Sequence, residues 1–578
     1  MYYKIKSHIF IQKTVFYVLF GTILAVYLSG CKVESSDITS YRITKEVNGV
    51  TAGVSTAHPL ATKVGIEILK QGGNAADAAI AVQFALAVCY PGAGNIGGGG
   101  FFLHRDKNGK VVSLDFREKA PLKAVADMYL DSLKNPVNDA SMYGALAAGV
   151  PGSVDGMVQA YEKLSALKNW KILIQPAIDL AQQGFAITQN EADNLNENQS
   201  FFEKYNQHQT AFHKKTWKKG DLLIQPELAK TLKHIQSKGR DGFYKGEVAD
   251  QIVLEMKRSG GLITKEDLAN YQSKWREPLT GNYRGYKVYS MGPPSSGGLA
   301  LLQLLKMTEP FPLREMEFHS AAHIHLLAEA ERRAFADRAF YLGDPDFVDV
   351  PTGFLLDSVY LLQRMADFNP RRATISDSIS HGKRESEETT HFSIVDSEGN
   401  AASVTTTLNG SYGAFTVVEG AGFILNNEMD DFSIKPGFPN MYGLVGGEAN
   451  KIEPEKRMLS SMTPTIITKN DSLFMVVGTP GGSTIITSVF QVIVNVIDFN
   501  MSLFDAVNET RFHHQWKPDQ IYTENGCLQP NVKMVLESLG HKIKVREPIG
   551  RVEAILVDKN KLLTVVADPR GDDDAKGY

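Results

Sequence analysis

Cysteine is scarce: the 578-residue chain has three, Cys31, Cys89 and Cys527. Cys89 lies in an apolar run and Cys527 follows Gly526. The two could pair, although an apolar cysteine is more often a small core residue. Blocks of Lys and Arg with interleaved aromatics are absent and the net charge is −4, which sets nucleic-acid binding aside. No Gly-x-Ser-x-Gly elbow occurs, which argues against a serine hydrolase of that design. His319, His323 and His325 invite a metal reading, since His319 and His323 are spaced to share a helix face. No HExxH-like pairing with a carboxylate accompanies them, and a long helix over 320–341 explains them as structural residues, so no metal is expected. The composition is that of a folded chain, 43% hydrophobic and 22% charged. Its length fits several domains or one large α/β unit.

The one long apolar run near the start, 15–28, follows Lys4, Lys6 and Lys13 and ends in Leu28-Ser29-Gly30-Cys31. A basic head, a short apolar segment and small residues read as a secretory signal. The ending resembles a bacterial lipobox, which implies removal of 1–30, a lipid on Cys31, and a body outside the cytoplasmic membrane. The alternative is an uncleaved anchor, because the run approaches the ~17 residues that span a bilayer. Residues 31–46 then form a tether.

The rest of the chain is organised around 385–409. A charged run ends at Thr389-Thr390-His391. Phe392 and Ile394 alternate with Ser393 and Val395, a turn follows at Asp396-Ser-Glu-Gly-Asn400, and 401–407 is again strand-like. A three-residue loop with Gly399 left-handed sets Asp396 opposite Asn400, and so Thr389 opposite Thr407. A threonine freed at its N-terminus by cleavage after Glu388 carries its own base, an α-amine with a pKa of about 7.7–8.0. The plainer reading is a solvated linker entering a hairpin.

Thr389-Thr390-His391, with the motifs below, resembles the start of the catalytic fragment in bacterial gamma-glutamyltransferases, members of the N-terminal-nucleophile hydrolase superfamily. The likeness runs from about Val50 to Tyr578. It implies a four-layer αββα sandwich built from two fragments of a self-cleaved precursor: 47–388, with a processing linker at 376–388, and 389–578. The two fragments are expected to stay associated as one domain. The implied activity is cleavage of the γ-glutamyl amide of glutathione and related compounds through an ester on Thr389. The acyl group passes to water, amino acids or peptides, and no cofactor is needed.

The likeness carries over residue by residue. Arg117, in Arg117-Glu-Lys-Ala-Pro121, would otherwise be a solvated charge after a strand; it inherits the grip on the substrate's α-carboxylate, with Ser460 and Ser461. Asn409, Glu428 and Asp431 inherit the α-ammonium. Thr407 is expected to hydrogen-bond the nucleophile. Gly481 and Gly482, between a strand and a helix at 484–497, inherit the oxyanion donors; a phosphate loop would need Gly-Lys-Ser/Thr there. Residues 436–450 resemble a lid in which Tyr442 closes over the substrate. Two departures stand out: Met458 replaces a common proline, and Glu428 a glutamine found in some relatives.

Other motifs read as structural. Gly92-Ala-Gly94-Asn-Ile-Gly97 spells GxGxxG, but it follows a helix and precedes a strand, so it indicates close backbone packing. Gly149–Gly152, Pro293–Gly298 and Arg511–Trp516 are given no chemistry. An apolar strand is expected at 422–425. The rivals are an acylase of the same fold acting on glutaryl side chains, against which Glu428 and Asp431 weigh, and a catalytically silent tethered binding protein.

Overall fold

The hairpin that carries Thr389 forms with the register expected. Thr390–Val395 runs antiparallel to Ala401–Thr407, pairing Thr390 with Thr406 and Val395 with Ala401. Asp396 N–H donates to Asn400 O (3.0 Å), and Gly399 has φ +85°. One step beyond the ladder lie Thr389 and Thr407. The computed structural model describes residues 41–137, 139–378 and 389–578. The apolar leader, Cys31 and Glu388 lie outside the described residues. Among the described residues, no helix is long and apolar enough to cross a membrane.

The hairpin sits in the middle of a seven-stranded antiparallel sheet, ordered Asp574–Gly577, Gly53–Thr56, Thr390–Val395, Ala401–Thr407, Gly99–Arg105, Val111–Asp115, Lys274–Arg276. A second seven-stranded sheet is ordered Glu46–Val50, Leu563–Ala567, Glu553–Val557, Ser472–Gly478, Thr465–Lys469, Tyr286–Ser290, Leu279–Tyr283. Alternation along the strands decides what each sheet meets. Phe392, Ile394 and Val404 join the core under the helices Ala75–Cys89 and Trp170–Gln183. Val395 and Ala401 point the other way, against Ile466, Val476 and Ile555 of the second sheet. In that second sheet Ile467, Met475 and Val477 face the helices Gly297–Thr308, Ala321–Tyr341 and Thr484–Ile497. The result is helices, sheet, sheet, helices, the expected α/β sandwich.

The strands before and after Thr389 interleave. Gly53–Thr56 lies between Asp574–Gly577 and Thr390–Val395; Gly99–Arg105 pairs with Ala401–Thr407, Glu46–Val50 with Leu563–Ala567, and Tyr286–Ser290 with Thr465–Lys469.

The Gly-rich loop packs as read. A Cβ on Gly97 would overlap the Ile424 carbonyl oxygen, and one on Gly98 the Thr407 carbonyl oxygen. In the same loop Asn95 Nδ2 donates to Thr407 O (2.9 Å), so this loop shoulders the end of the Thr407 strand. Gly98→Ala must therefore push on backbone at the site, whereas a Cβ on Gly92 meets only Ser411 Oγ at 3.6 Å. We expect Gly98→Ala to cost about 1–3 kcal/mol in urea unfolding and to slow chain cleavage, with Gly92→Ala near wild type. Equal midpoints for the two variants would refute the packing argument.

Four expectations need correction. Residues 422–425 form no sheet strand; Ile424 makes an isolated bridge with Val417, and the segment is apolar because Phe423, Ile424 and Leu425 are buried. His319 precedes the helix that holds His323, and stacks on Phe318. The last residues assigned to the tether are fixed to the body, through Thr44 N–H to Asp574 Oδ1 (2.7 Å) and Lys45 Nζ to Asp568 O (2.7 Å). The start of the linker is held likewise: Ser376 N–H donates to Asp519 Oδ2 (2.8 Å). Cys89 and Cys527 are both buried free thiols.

Candidate active site

One small cavity is walled by Thr389, Thr407, Arg117, Asn409, Glu428, Asp431, Tyr442, Ser460, Ser461 and Gly482, joined by Leu444, Met462 and Ile485. Of the described residues assigned chemistry, Gly481 alone stands off the wall, next to Gly482.

Thr389 is 6% exposed and lies where the strand opens. Thr407 Oγ1 accepts from Asn409 N–H (2.7 Å), which fixes the hydroxyl on the pocket side. Asn409 takes the left-handed conformation, φ +77°, uncommon for a residue with a Cβ. It holds that shape by donating from Nδ2 to Asn427 O (3.1 Å).

Gly481 (φ +133°) and Gly482 (φ +53°) make the turn into the Thr484–Ile497 helix. Among the described residues neither N–H has a hydrogen-bond acceptor. Two open N–H groups at a helix start favour developing negative charge. The Arg511–Trp516 motif, left without a role by sequence, braces this turn. Ser483 Oγ donates to Gln515 Oε1 (2.7 Å), and His513 Nε2 bonds the same oxygen at 2.8 Å.

The sequence separates a cationic pole from an anionic one; the structure brings them into contact. Arg117, 1% exposed, places Nη1 2.6 Å from Glu428 Oε2 and Nη2 2.5 Å from Asp431 Oδ2, with Glu118 Oε2 3.4 Å from Nη1. The reason is burial: a guanidinium out of water takes the nearest carboxylates. Burial alone would lower the Arg117 pKa, but the charges of Glu428, Glu118 and Asp431 outweigh it and raise it. The carboxyls feel the converse. Burial pushes Glu118 up to about 7. Glu428 and Asp431 are also raised by burial, although Arg117 pulls them down. Three acids thus crowd the Arg117 guanidinium.

Sequence reasoning missed the residues that hold these groups. Asn426 ties the site together: Nδ2 donates to Gly97 O (2.8 Å) and Gly149 O (2.8 Å), while Oδ1 accepts from Glu428 N–H (3.1 Å). The Pro293–Gly298 segment holds the serine pair. Ser460 N–H donates to Pro294 O (2.9 Å), Ser296 N–H to Ser460 O (2.8 Å), and Ser295 Oγ to Met462 O (2.6 Å). No local pattern marks these contacts, all but one of which (Asn426 with Glu428) join residues more than a hundred positions apart.

The lid lies over the site. Tyr442 is 3% exposed, and its hydroxyl donates to Asn409 O (2.5 Å). A Cβ on Gly482 would come within 2.8 Å of the Tyr442 ring. Asn440 Nδ2 donates to Asp431 Oδ1 (2.9 Å), so the lid also touches the acidic pole.

Among the described residues His325, Glu329 and His541 lie close enough to share a metal ion. Their ligand atoms are already engaged: His325 Nδ1 bonds His541 Nε2 (2.7 Å), and Glu329 Oε2 accepts from Arg333 Nη1 (2.7 Å). Two arginines beside the carboxylate make this a poor cation site.

Known proteins share this architecture. A sequence model described as gamma-glutamyltranspeptidase matches residues 61–578. The chain is 47% identical over 532 residues to the glutathione hydrolase proenzyme of Escherichia coli (strain K12), covering 91% of each chain. It is 49% identical over 509 residues to the glutathione hydrolase proenzyme of Pseudomonas sp. (strain A14), covering 87% of this chain and 88% of the relative. Among solved structures, a cephalosporin acylase from Bacillus halodurans superposes with a TM-score of 0.80 at 26% identity, covering 95% of this chain and 99% of its own. A threonine at the mouth of a buried strand pair, open N–H groups at a helix start and a charged pocket for a small polar group therefore come with matching relatives across nearly the whole length: the chain is an enzyme of the gamma-glutamyltranspeptidase family.

Proposed function

We propose that the protein is a self-processing γ-glutamyltransferase and glutathione hydrolase with Thr389 as nucleophile. The observation that carries this reading is the joining, around one cavity, of Thr389, the Gly481-Gly482 turn and the Arg117–Glu428–Asp431 cluster. In the precursor Thr389 Oγ attacks the Glu388 carbonyl carbon. The peptide C–N bond breaks as an ester forms, and water then hydrolyses the ester, leaving Thr389 with a free α-amine. In the mature enzyme that amine takes the hydroxyl proton as Oγ attacks the γ-carbonyl carbon of a γ-glutamyl amide. The oxyanion rests on the Gly481 and Gly482 N–H groups. Collapse breaks the C–N bond, and the leaving amine takes the proton. Water, or the amine of an amino acid or peptide, then attacks the ester and restores the hydroxyl.

A γ-glutamyl head group enters by exchange of ion pairs. Its α-ammonium takes Glu428 and Asp431, and its α-carboxylate takes Arg117 with Ser460 and Ser461. The pocket's charge balance is unchanged, because the head group is a zwitterion. A glutaryl group lacks the ammonium and would leave two buried carboxylates facing a third, so the acylase reading is second. Tyr442 shields the ester from bulk water. The leader supports export, with Cys31 lipidated and the body held at a membrane only by that lipid.

Mass spectrometry of the purified protein mixed with L-γ-glutamyl-p-nitroanilide tests these points together. The expected species are a fragment beginning at Thr389, a transient γ-glutamyl adduct on it, and a large fragment beginning at a lipid-bearing Cys31. An adduct with glutaryl-p-nitroanilide and none with the γ-glutamyl anilide would replace this reading by the acylase.

A further inference from the structure

Ser461 has a charged neighbour that none of these roles uses. Arg338 stands in the last turn of the Ala321–Tyr341 helix and is 4% exposed. Its Nε donates to Ser296 Oγ (2.9 Å) and its Nη2 to Ser461 Oγ (3.2 Å). Among the described residues, the carboxylate whose charge it feels is Asp431, and that group bonds instead to Arg117 and Asn440. The adjacent acid, Asp337, is turned to Arg364 (2.9 Å) and Tyr360 (2.9 Å). A buried guanidinium bonded only to hydroxyls is costly to keep. Burial lowers its pKa to about 10, so it is still a cation at neutral pH.

The hydroxyls beside it are polarised by what they accept. A hydroxyl has one proton to give and two lone pairs to receive. Ser461 Oγ accepts from Arg338, and Ser460 Oγ accepts from Met462 N–H (3.1 Å). Each therefore has its own proton free to donate, and both serines line the cavity. Ser296, clamped under Arg338, donates its hydroxyl to Ser460 O (2.6 Å), so one guanidinium steadies both serines. Two hydroxyl donors backed by a cation suit an anionic ligand atom pair. Arg117 cannot meet that need alone, since Glu118, Glu428 and Asp431 already draw on its charge.

We infer that Arg338 is a positioning residue: it orients Ser461 as a donor and gives the α-carboxylate pole a second positive charge. This rests on the γ-glutamyl reading above. It assigns a share of substrate selection to a side chain that does not line the pocket.

The test compares two anilides on the processed enzyme: L-γ-glutamyl-p-nitroanilide, and 4-aminobutyryl-p-nitroanilide, which differs by hydrogen in place of the α-carboxylate. Arg338→Gln is expected to raise KM for the γ-glutamyl anilide by about ten- to a hundredfold, the weight of a charge-assisted contact. Its kcat should stay within about threefold, since the interaction is made equally in ground and transition states. Its kcat/KM for the 4-aminobutyryl anilide should match wild type, and Arg338→Lys should recover part of the lost affinity. Equal losses on both anilides, or an unchanged γ-glutamyl KM, would overturn the inference while leaving the γ-glutamyl reading intact. A wild-type enzyme indifferent to the α-carboxylate would overturn that reading, and the inference with it. Should Arg338→Gln not fold, Ser296→Ala makes the same comparison. It loosens the clamp without removing the charge, and an effect on the γ-glutamyl anilide alone supports the inference whereas an equal effect on both refutes it.

Discussion

Thr389→Ala is expected to accumulate as one uncut chain with no measurable γ-glutamyl transfer. The same oxygen is proposed to act twice, so its loss removes both reactions. Removing a hydrolase nucleophile costs on the order of 10⁶ in turnover, beyond what the remaining N–H donors and binding contacts restore. The alanine should leave the fold alone. Thr389 lies one residue ahead of the Thr390–Val395 strand, and the hydrophobic contacts of that strand begin at Phe392. The circular dichroism spectrum should match wild type while the denaturing gel does not. Thr389→Ser, which keeps a hydroxyl on the same backbone, should still be cut and active at a reduced rate. Normal cleavage of the alanine variant would return Thr389 to an ordinary residue entering a hairpin.

Arg117→Ala is expected to lower kcat/KM for a γ-glutamyl anilide by about 10²–10⁴, the equivalent of the 3–5 kcal/mol lost when one partner leaves a buried ion cluster. Chain cleavage should still run to completion, because the bond being cut brings no α-carboxylate to be gripped. The three carboxyls left behind do not stay charged. Burial already holds Glu118 near 7, and Glu428 and Asp431 are raised as well. Without the cation all three rise further and take up protons. The sign of the consequence is fixed by linkage. A carboxyl whose pKa is higher folded than unfolded binds protons on folding, so the variant gains stability as pH falls and loses it as pH rises. Melting temperatures measured from pH 8 to pH 6 should therefore climb for Arg117→Ala relative to wild type. A parallel pair of pH profiles, or cleavage lost in step with turnover, would mean that Arg117 serves the fold and not the substrate.

Much of this was legible in the chain because the signals are local. Gly399 and the alternation of Phe392 and Ile394 set the hairpin register, and with it the meeting of Thr389 and Thr407. Strand, Gly-Gly turn and helix follow one another at 472–497, so the donors at Gly481 and Gly482 could be read in order. Where local pattern and burial part company, the reading fails. Residues 422–425 are apolar because they fill the core beside the first sheet, and Gly420 and Gly422, both at positive φ, carry the chain through a bend that a strand would not tolerate. The contact of Arg117 with Asp431 spans 314 residues, and that of Arg338 with Ser461 spans 123. Nothing near either arginine announces its partner. A buried charge is placed by the whole fold, and sequence alone reaches it only through resemblance.

The interleaved strands bear on how the nicked protein behaves in solution. In the first sheet each product of the cut contributes strands that lie between strands of the other, and in the second the four strands of the later product are flanked on both sides by strands of the earlier one. No path leads from the paired state to two folded halves, so separation and loss of structure are one event. Specific activity should then hold steady on thousandfold dilution, and halves isolated in denaturant should return to function only when refolded in each other's presence.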